Sequence, residues 1–352
     1  MGLIRIFVAG LGAVSPAGWT VVALREALNS GKPLPTQPLE PQRAKPLLGH
    51  IVPNPAVRPE FLAHPRLRRA SAITHYAASA AIEASAHLRK IAPETTRLGL
   101  ILCFHSGCVQ YSGRFYDEAL KNPATASPLL FPETVYAAPA SHIAVLLKNV
   151  TLVNSFVGDP SSFLQGVSAA AQWLEKDRVD ACLVIGAEEI NWITADALWH
   201  LDRAACISGG AGALCLCREP QWSIGVELTA ITNSHPYTAK NNRTQAARAM
   251  RNQLMANARD GNLGLLCDGA GKGSRSNGPE ISAWRDWAGP RISPKRILGE
   301  GLMAAAAWQC VAACDALTNG HSKSANVSLV GFNQQAIGAK FTGVSDLSGR
   351  KT

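Results

Sequence analysis

Short, continuously apolar strand segments that alternate with helical patterns are the feature that most constrains this fold. Residues 98–104 (LGLILCF) and 179–189 (VDACLVIGAEE) carry the apolar runs that indicate strands buried on both faces. A helical pattern, SFLQGVSAAAQWLEK at 162–176, lies between them. Strands of this kind, separated by helices, predict a parallel-rich sheet with helices on both faces.

The second part of the chain repeats this order in compressed form, which suggests an internal duplication. The length of 352 residues is compatible with one large α/β domain or with two fused halves, because single cores stop growing at roughly 250–300 residues. We therefore predict two similar halves, residues 1–225 and 226–342. The polar, aperiodic segment 343–352 predicts a disordered tail.

Two packing arrangements are expected from these segments. The alanine-rich helices predicted at 70–90 and 301–318 suit a layer between two sheets, because small residues allow close backbone approach. The helix propensity of alanine alone is the other explanation of the same residues. The apolar segments 209–219 and 222–233 are expected to pair with each other as antiparallel strands.

The chain carries a formal net charge of +9, which favours an acidic partner such as a carrier protein, nucleic acid or an anionic membrane. A generally solvated basic surface explains the same number. The only tight basic cluster is Arg66, Arg68 and Arg69, and no aromatic residues alternate with it as in nucleic-acid binding proteins. No apolar run of about 18 residues predicts a membrane helix. We therefore expect neither a nucleic acid nor a membrane as partner.

Nine cysteines make an odd count, and several lie within apolar strand or helix patterns. This usage predicts buried, reduced thiols and a cytoplasmic location. Cys310 and Cys314 lie four residues apart on one helix face, but no second pair completes a four-ligand set. The sequence therefore predicts no metal site.

Five segments, in the right order over nearly the whole chain, resemble motifs of the β-ketoacyl-acyl carrier protein synthases. VAGLGAVSPAG, for example, is similar to V-T-G-x-G-x-x-S/T-P-x-G, and NVSLVGFNQQA to the family's closing N-S-F-G-F-G-G-T-N strand. The five segments span residues 8–18, 126–148, 163–189, 294–317 and 326–336. The resemblance implies an α/β thiolase-like fold, an α-β-α-β-α sandwich of five layers built from two similar halves and normally dimeric. It implies no cofactor.

The catalytic cysteine of that family is missing. The family places it at a strand-to-helix turn, where a helix N-terminus lowers the thiol pKa. Counting back from the helix puts Pro160 at this position, and counting forward from the strand puts Gly158 there. No cysteine lies between residues 109 and 181, so a thiol nucleophile at this turn is excluded.

The hydroxyl groups beside this turn have two interpretations. Asp159 or Ser161 is expected to cap the helix, with Pro160 in its first turn. Alternatively, Ser161 replaces the cysteine, which requires a positioned base because an alkoxide is harder to form than a thiolate. His105 and Cys108 are a further candidate pair, although a turn explains their spacing equally well.

Both histidines of the family are also replaced. Asp268 stands where the family has the histidine of E-A-H-G-T-G-T, and Glu300 stands at the histidine of G-H-x-x-G. A carboxylate donates no proton to a developing enolate unless it is itself protonated. Lys295, the family's lysine, is retained, and an ion pair with Glu300 is its expected structural role.

The resemblance therefore implies a chain-length factor, the inactive homologue that pairs with an active ketosynthase in type II polyketide and polyene systems. The most specific prediction of the biosynthetic system is an aryl polyene pathway, and a less specific one is a fatty-acid-like pathway. The alternative is a divergent acyltransferase or malonyl decarboxylase that uses Ser161 with Asp268 and Glu300. A third possibility is a thiolase-fold scaffold that binds acyl groups.

The resemblance also implies a partner surface. Its dimer interface is built by the strand before the nucleophile, here with Asn154 and Phe156. The loop before it, with Phe131, Glu133 and Tyr136, is expected to shape or end the partner's acyl tunnel. The cluster Arg66, Arg68 and Arg69 is the predicted contact for an acidic acyl carrier protein.

Overall fold

The computed structural model describes residues 5–39, 46–238, 240–256, 264–272 and 274–344. Gly343 ends the last strand, and residues 345–352 of the predicted tail lie outside the described residues. The helices of the described residues are α1 (Val21–Ser30), α2 (Ala72–Ser85), α3 (Leu88–Ile91), α4 (Val109–Lys121), α5 (Ala138–Leu147), α6 (Ser162–Glu175), α7 (Trp192–Leu201), α8 (Lys240–Met255), α9 (Ser274–Ala283), α10 (Lys295–Leu298) and α11 (Met303–Thr318).

Most strands of the described residues belong to one long sheet. The strands are β1 (Ile6–Val14), β2 (Gln37–Pro38), β3 (Leu48–His50), β4 (Leu98–Phe104), β5 (Val150–Val157), β6 (Ala181–Glu188), β7 (Ile207–Ser208), β8 (Gly210–Cys217), β9 (Val226–Ile231), β10 (His235–Pro236), β11 (Leu265–Cys267), β12 (Arg291–Ile292), β13 (Ser324–Val330) and β14 (Gln335–Gly343). The long sheet runs β12-β11-β13-β14-β9-β1-β8-β6-β4-β5, with β10 beside β14. Strands β2, β3 and β7 form a separate small sheet.

This order divides into two five-stranded sets with identical topology. The first set contains β1, β4, β5, β6 and β8. Numbered 1 to 5 in chain order and read from the outer edge of the sheet, these strands are arranged 3-2-4-5-1. The second set, which contains β9, β11, β12, β13 and β14, has the same arrangement. In both sets the first three strands from the outer edge are parallel and the remaining two are antiparallel additions. The sets meet where β1 pairs with β9. The two similar halves that the sequence predicts are therefore present.

Five layers result from this arrangement. Helices α2 and α5 cover the outer face of the first set, and α8 and α9 cover the outer face of the second. Helices α6 and α11 lie between the two sets, and α11 contacts strands of both. The central layer belongs to the largest apolar cluster, in which Phe163, Met303 and Trp308 are fully buried. The predicted α-β-α-β-α sandwich is confirmed. Its division at residues 225 and 226 stays a prediction, although β9 begins at Val226.

Close backbone approach explains the small residues of these layers. A β-carbon added to Gly12 of β1 would lie 2.0 Å from the carbonyl oxygen of Ala80 in α2. One added to Gly212 of β8 would lie 2.7 Å from Cβ of Ala307 in α11. Helices and strands in these layers therefore approach more closely than larger residues would permit.

Two packing expectations are wrong. Helix α11 is sandwiched between two sheets as predicted, but α2 packs on the strands of one set only and forms an outer layer with α5. The strands β8 and β9 do not pair with each other, because β1 lies between them and pairs with both. Strand β1 thus lies between the two strands that the sequence predicts to pair directly.

The nine cysteines are all free thiols; eight are buried and Cys206 is half-buried. Among the described residues, no helix is long and apolar enough to cross a membrane. The same residues contain no group of three or more side chains with the donor atoms and spacing to hold a metal ion.

Candidate functional site

The turn between β5 and α6 is where the family resemblance places a nucleophile, and here it is filled by a carboxylate. Asp159 and Ser161 are both buried, at 1% and 0% exposure. The Ser161 hydroxyl donates to Oδ1 of Asp159, and the Ser161 amide donates to the same oxygen at 3.1 Å. The hydroxyl is therefore already engaged and closed off from solvent.

The second oxygen of Asp159 reaches the other half of the molecule. Oδ2 accepts hydrogen bonds from the amides of Gln334 at 3.1 Å and Asn333 at 3.4 Å, in the loop between β13 and β14. A β-carbon added to Gly331 would lie 1.9 Å from this oxygen. The side chain of Gln334 also contacts the turn, because its Oε1 accepts a hydrogen bond from the Asp159 amide at 3.3 Å. Asp159 thus joins the turn to the loop.

The predicted capping is only partly correct. Ser161 occupies the N-cap position of α6, but its side chain makes no capping hydrogen bond, because the hydroxyl donates to Asp159 instead. Asp159 closes the turn before the helix by accepting from the Ser161 amide. Pro160 precedes the N-cap and so lies outside the first helical turn.

Lys295 and Glu300 form the ion pair that the sequence predicts. Their Nζ and Oε2 atoms lie 2.8 Å apart, and both residues are buried. Oε1 of Glu300 also accepts from the Leu302 amide at 3.0 Å. The Lys295 ammonium lies 5.7 Å from the centroid of the Phe332 ring. Both charged groups are therefore satisfied within the protein.

Asp268 is held by a different set of partners. Its Oδ1 accepts from the Ser293 hydroxyl at 2.6 Å and from the Ala270 amide at 3.1 Å. Its Oδ2 lies 3.2 Å from Nε of Arg291. Ser161 contacts neither Asp268 nor Glu300 through any of these hydrogen bonds. The acid that contacts the Ser161 hydroxyl is Asp159, which the sequence singled out only as a cap.

Glu280 is a buried acid that sequence reasoning missed. Its Oε1 accepts from the Ser328 hydroxyl at 2.5 Å and from the Gly269 amide at 3.2 Å. Burial, and then the charge of Asp268, raise the pKa of Glu280 to about 7, against the opposing effects of Ser328 and Lys295. No sequence motif marks this residue, because a single glutamate in a polar helix is ordinarily exposed.

A pocket of about 200 Å³ lies beside the turn. Phe332, Leu302 and Thr194 line it, together with His105, whose Nδ1 lies 3.0 Å from the Gly158 carbonyl oxygen. Cys108 is buried, its thiol contacts Ser71 and the Val135 carbonyl, and burial raises its pKa to about 12. A raised pKa is the opposite of what a thiolate nucleophile needs, so the geometry does not favour a His105–Cys108 pair.

The predicted partner residues on β5 lie at a sheet edge. In the described residues, β5 pairs with β4 on one side only. Val153 and Val157 on this strand are 46% and 51% exposed. Asn154 is exposed, and its side chain accepts from the Ser155 amide at 2.8 Å. Phe156 is half-buried and packs against the central core.

Of the predicted tunnel residues, Tyr136 lies near the end of this edge, since its ring is 6.3 Å from that of Phe104, which pairs with Val157. Phe131 is 56% exposed and its ring lies 5.5 Å from that of Phe115 on α4. Tyr136 is 42% exposed. Glu133 is largely buried, and its carboxylate lies 3.0 Å from Nε2 of His142. The two aromatic residues are therefore available for contact, whereas Glu133 is engaged.

The basic cluster Arg66, Arg68 and Arg69 lies in a 3₁₀ turn before α2. All three side chains are exposed, and the intervening Leu67 is buried and anchors the turn. Ion pairs among the described residues include none of these three arginines. The cluster is thus presented to solvent.

No protein-family model matches the sequence, and no curated protein matches it either. Solved structures do match over nearly the whole chain. A structure titled as the ishigamide ketosynthase/chain length factor has a TM-score of 0.80 at 17% identity, covering 97% of this chain and 100% of that chain. A β-ketoacyl synthase from Burkholderia phymatum STM815 has a TM-score of 0.79 at 17% identity, with the same coverage.

A third match is the complex of a ketosynthase, ApeO, with its chain length factor, ApeC, from Xenorhabdus doucetiae. Its TM-score is 0.76 at 15% identity, covering 97% of this chain and 98% of that chain. At such identities the likeness concerns the fold. The chain therefore has the thiolase-like fold of the ketosynthases, as its five sequence segments indicated.

Proposed function

We propose that this chain is a non-catalytic subunit that pairs with an active ketosynthase and acts as its chain-length factor. The observation that carries the proposal is the turn at residues 158–162. It offers no thiol, and its Ser161 hydroxyl is buried and donates to Asp159. A thioester needs an accessible nucleophile, and this turn supplies none.

The groups around the turn support the same proposal. Condensation requires donors that stabilise a developing oxyanion and remain free until substrate binds. Lys295 is instead paired with Glu300, and Asp268 with Arg291 and Ser293. These side chains stabilise each other, which suits a structural role. The Ser161-dependent acyltransferase or decarboxylase is the disfavoured alternative, because it needs a base and an open path to Ser161.

The edge of β5 supports a protein partner. An exposed sheet edge with apolar side chains tends to pair with another chain unless it is covered. Val153 and Val157 lie on this edge. The exposed ring of Tyr136 lies near its end, beside Phe104 of β4, and Phe131 is exposed as well. Three structures with this fold are titled as complexes of a ketosynthase with a chain length factor or an acyl carrier protein. The occupant that we propose is the active ketosynthase.

The narrower parts of the proposal rest on the sequence. Arg66, Arg68 and Arg69 are the exposed group that an acidic carrier protein would recognise if it contacts this chain as well as the active partner. An aryl polyene or type II polyketide system is the proposed context. The nine free cysteines support a location in the reducing cytoplasm.

Co-expression with an active ketosynthase that carries an intact catalytic cysteine tests the proposal. We expect the two chains to co-purify as a heterodimer, and radiolabelled acyl or malonyl carrier protein to label only the ketosynthase. We also expect the product length to change when this chain is withheld. Acyl labelling of this chain alone, abolished by Ser161→Ala, would overturn the proposal and establish the alternative.

A further inference from the structure

A second pocket, of about 370 Å³, lies on the far side of α7 from the turn. It is bounded by the small sheet of β2, β3 and β7 and by the segment that joins α7 to β7. Leu47, Leu48, Ala195 and Ile207 give it an apolar wall. Its volume falls within the range of ordinary small-molecule sites, which span about 300–1,000 Å³.

This pocket is separate from the one beside the turn. The two share no lining residue, and opposite faces of α7 line them. Thr194, Leu198 and Leu201 face the pocket at the turn, whereas Ala195 and Trp199 face the second pocket. A ligand in the second pocket therefore need not contact Asp159 or Ser161.

The charge of the second pocket has one sign. Arg203 and Lys272 line it, both are exposed, and none of its described lining residues is acidic. The Arg203 guanidinium stacks 4.8 Å from the centroid of the Trp199 ring. A guanidinium that lies over an aromatic ring can still donate its N–H groups to a carboxylate or phosphate. Neither cation forms an ion pair among the described residues.

We propose that this pocket binds an amphipathic anion, with a medium-length apolar tail against Leu47, Leu48 and Ile207 and a carboxylate or phosphate headgroup between Arg203 and Lys272. The apolar wall provides the hydrophobic part of the affinity, and the two cations select the charge. The two basic groups repel a cation, and a purely polar ligand gains nothing from the apolar wall. This inference does not depend on the proposed function, because it requires no partner and no catalysis.

Cys206 provides a reporter for the site. It lines the pocket, and its thiol lies 3.3 Å from the Leu48 carbonyl oxygen. It is the one half-buried cysteine, whereas the other eight are buried. A neutral thiol reagent such as iodoacetamide should therefore modify Cys206 first in the folded chain, and a bound ligand should slow that reaction.

The test titrates the full chain with octanoate, octyl phosphate and 1-octanol, and follows both heat of binding and the rate of Cys206 alkylation. We expect octanoate or octyl phosphate to bind and to protect Cys206, and 1-octanol to do neither at the same concentration. The two anions distinguish a carboxylate from a phosphate headgroup. Equal binding of 1-octanol, or no protection by either anion, would overturn the proposal.

Variants locate the headgroup and the tail. Arg203→Gln is expected to weaken anion binding about tenfold, the loss typical of a charge-assisted hydrogen bond. Arg89→Gln, at an exposed position on α3, is the matched control and should leave binding unchanged. Leu48→Asp, at a site 47% exposed, should weaken anion binding more than Leu48→Asn, because only the first repels the headgroup. An unchanged affinity in both Arg203→Gln and Leu48→Asp would place any anion binding elsewhere and refute the assignment.

Discussion

The two five-stranded sets share one strand order, yet their outer edges differ. The first set ends in β5, which has eight residues and exposes Val153 and Val157. The second ends in β12, which has two residues, and its Arg291 is paired with the buried Asp268. Short or charged edge strands resist association, whereas long apolar ones favour it. One topology thus yields a closed edge in one half and an edge suited to a partner in the other.

The interiors of the two halves differ as well. The second half contains a buried cluster of opposite charges, with Lys295 paired to Glu300. The first half instead buries Glu188 and Glu189, whose carboxylates accept backbone hydrogen bonds, from Ser106 at 3.2 Å and Gln110 at 2.7 Å. In the second half, a buried charge is therefore held by an ion pair. In the first half, the two buried acids are held by hydrogen bonds from backbone amides.

Val153→Asp should abolish pairing with the ketosynthase. A charge that is buried without a partner at an interface costs about 3–5 kcal/mol of binding free energy. This cost lowers the affinity by more than a factor of about 100. Co-purification and light scattering measure the loss. Ile281→Asp, at a position 37% exposed in the second half, is the matched control and should pair normally. Equal loss in both variants would remove the distinction between the two halves.

Lys295→Met should destabilise the isolated chain by about 3 kcal/mol, because Glu300 is left buried without its counter-ion. Urea unfolding measures the change. The double variant Lys295→Met/Glu300→Leu should recover most of the stability, since replacing both ions by apolar groups is often neutral. If the single variant is as stable as the parent, the pair makes no structural contribution.

Asp159→Asn should cost about 2 kcal/mol, because an amide oxygen accepts more weakly than a carboxylate and cannot serve Ser161, Asn333 and Gln334 equally. Chemical unfolding is again the measurement. Asp117→Asn, at an exposed position on α4, should change stability little. A negligible effect of Asp159→Asn would show that the turn and the loop are held together by other contacts.

Glu188→Gln should alter how stability depends on pH. Burial raises the pKa of Glu188 from 4.5 to about 8, so the folded chain retains a proton that the unfolded chain has lost over this interval. Stability should therefore fall as pH rises from 4.5 to about 8, by about 1 kcal/mol per pH unit for one such group. Glu188→Gln should flatten the slope, and Glu94→Gln at an exposed site should not. An unchanged slope in Glu188→Gln would contradict the assignment.

Much of the fold could be predicted from local pattern. The apolar runs at β4 and β6 predicted a parallel-rich sheet with helices on both faces, because strands buried on both faces need helices on each side. The five-layer sandwich was implied by the resemblance of the five ordered motifs to the β-ketoacyl-acyl carrier protein synthases. The pairing of β8 with β9 was predicted wrongly. Adjacent strands in sequence usually pair, and no local signal shows that β1 is inserted between them.

The site could be predicted less well. The sequence predicted the absence of the catalytic cysteine, because the residue types at the turn are enough to show it. It also predicted the Lys295–Glu300 ion pair, because the two opposite charges lie in one motif. The partners of Asp159 could not be read, since Gln334 lies 175 residues away and the hydrogen bonds run to backbone amides. Glu280 was missed for a similar reason, as its burial depends on Ser328 of a distant strand.

The position of Asp159 also determines how a thiol placed at this turn would behave. A cysteine introduced at Pro160 would lie next to a fixed negative charge, which opposes formation of a thiolate. Removing Asp159 first would release the loop that carries Phe332 and Asn333. A thiolate at this turn therefore requires at least two coordinated replacements, neither of which is favourable alone.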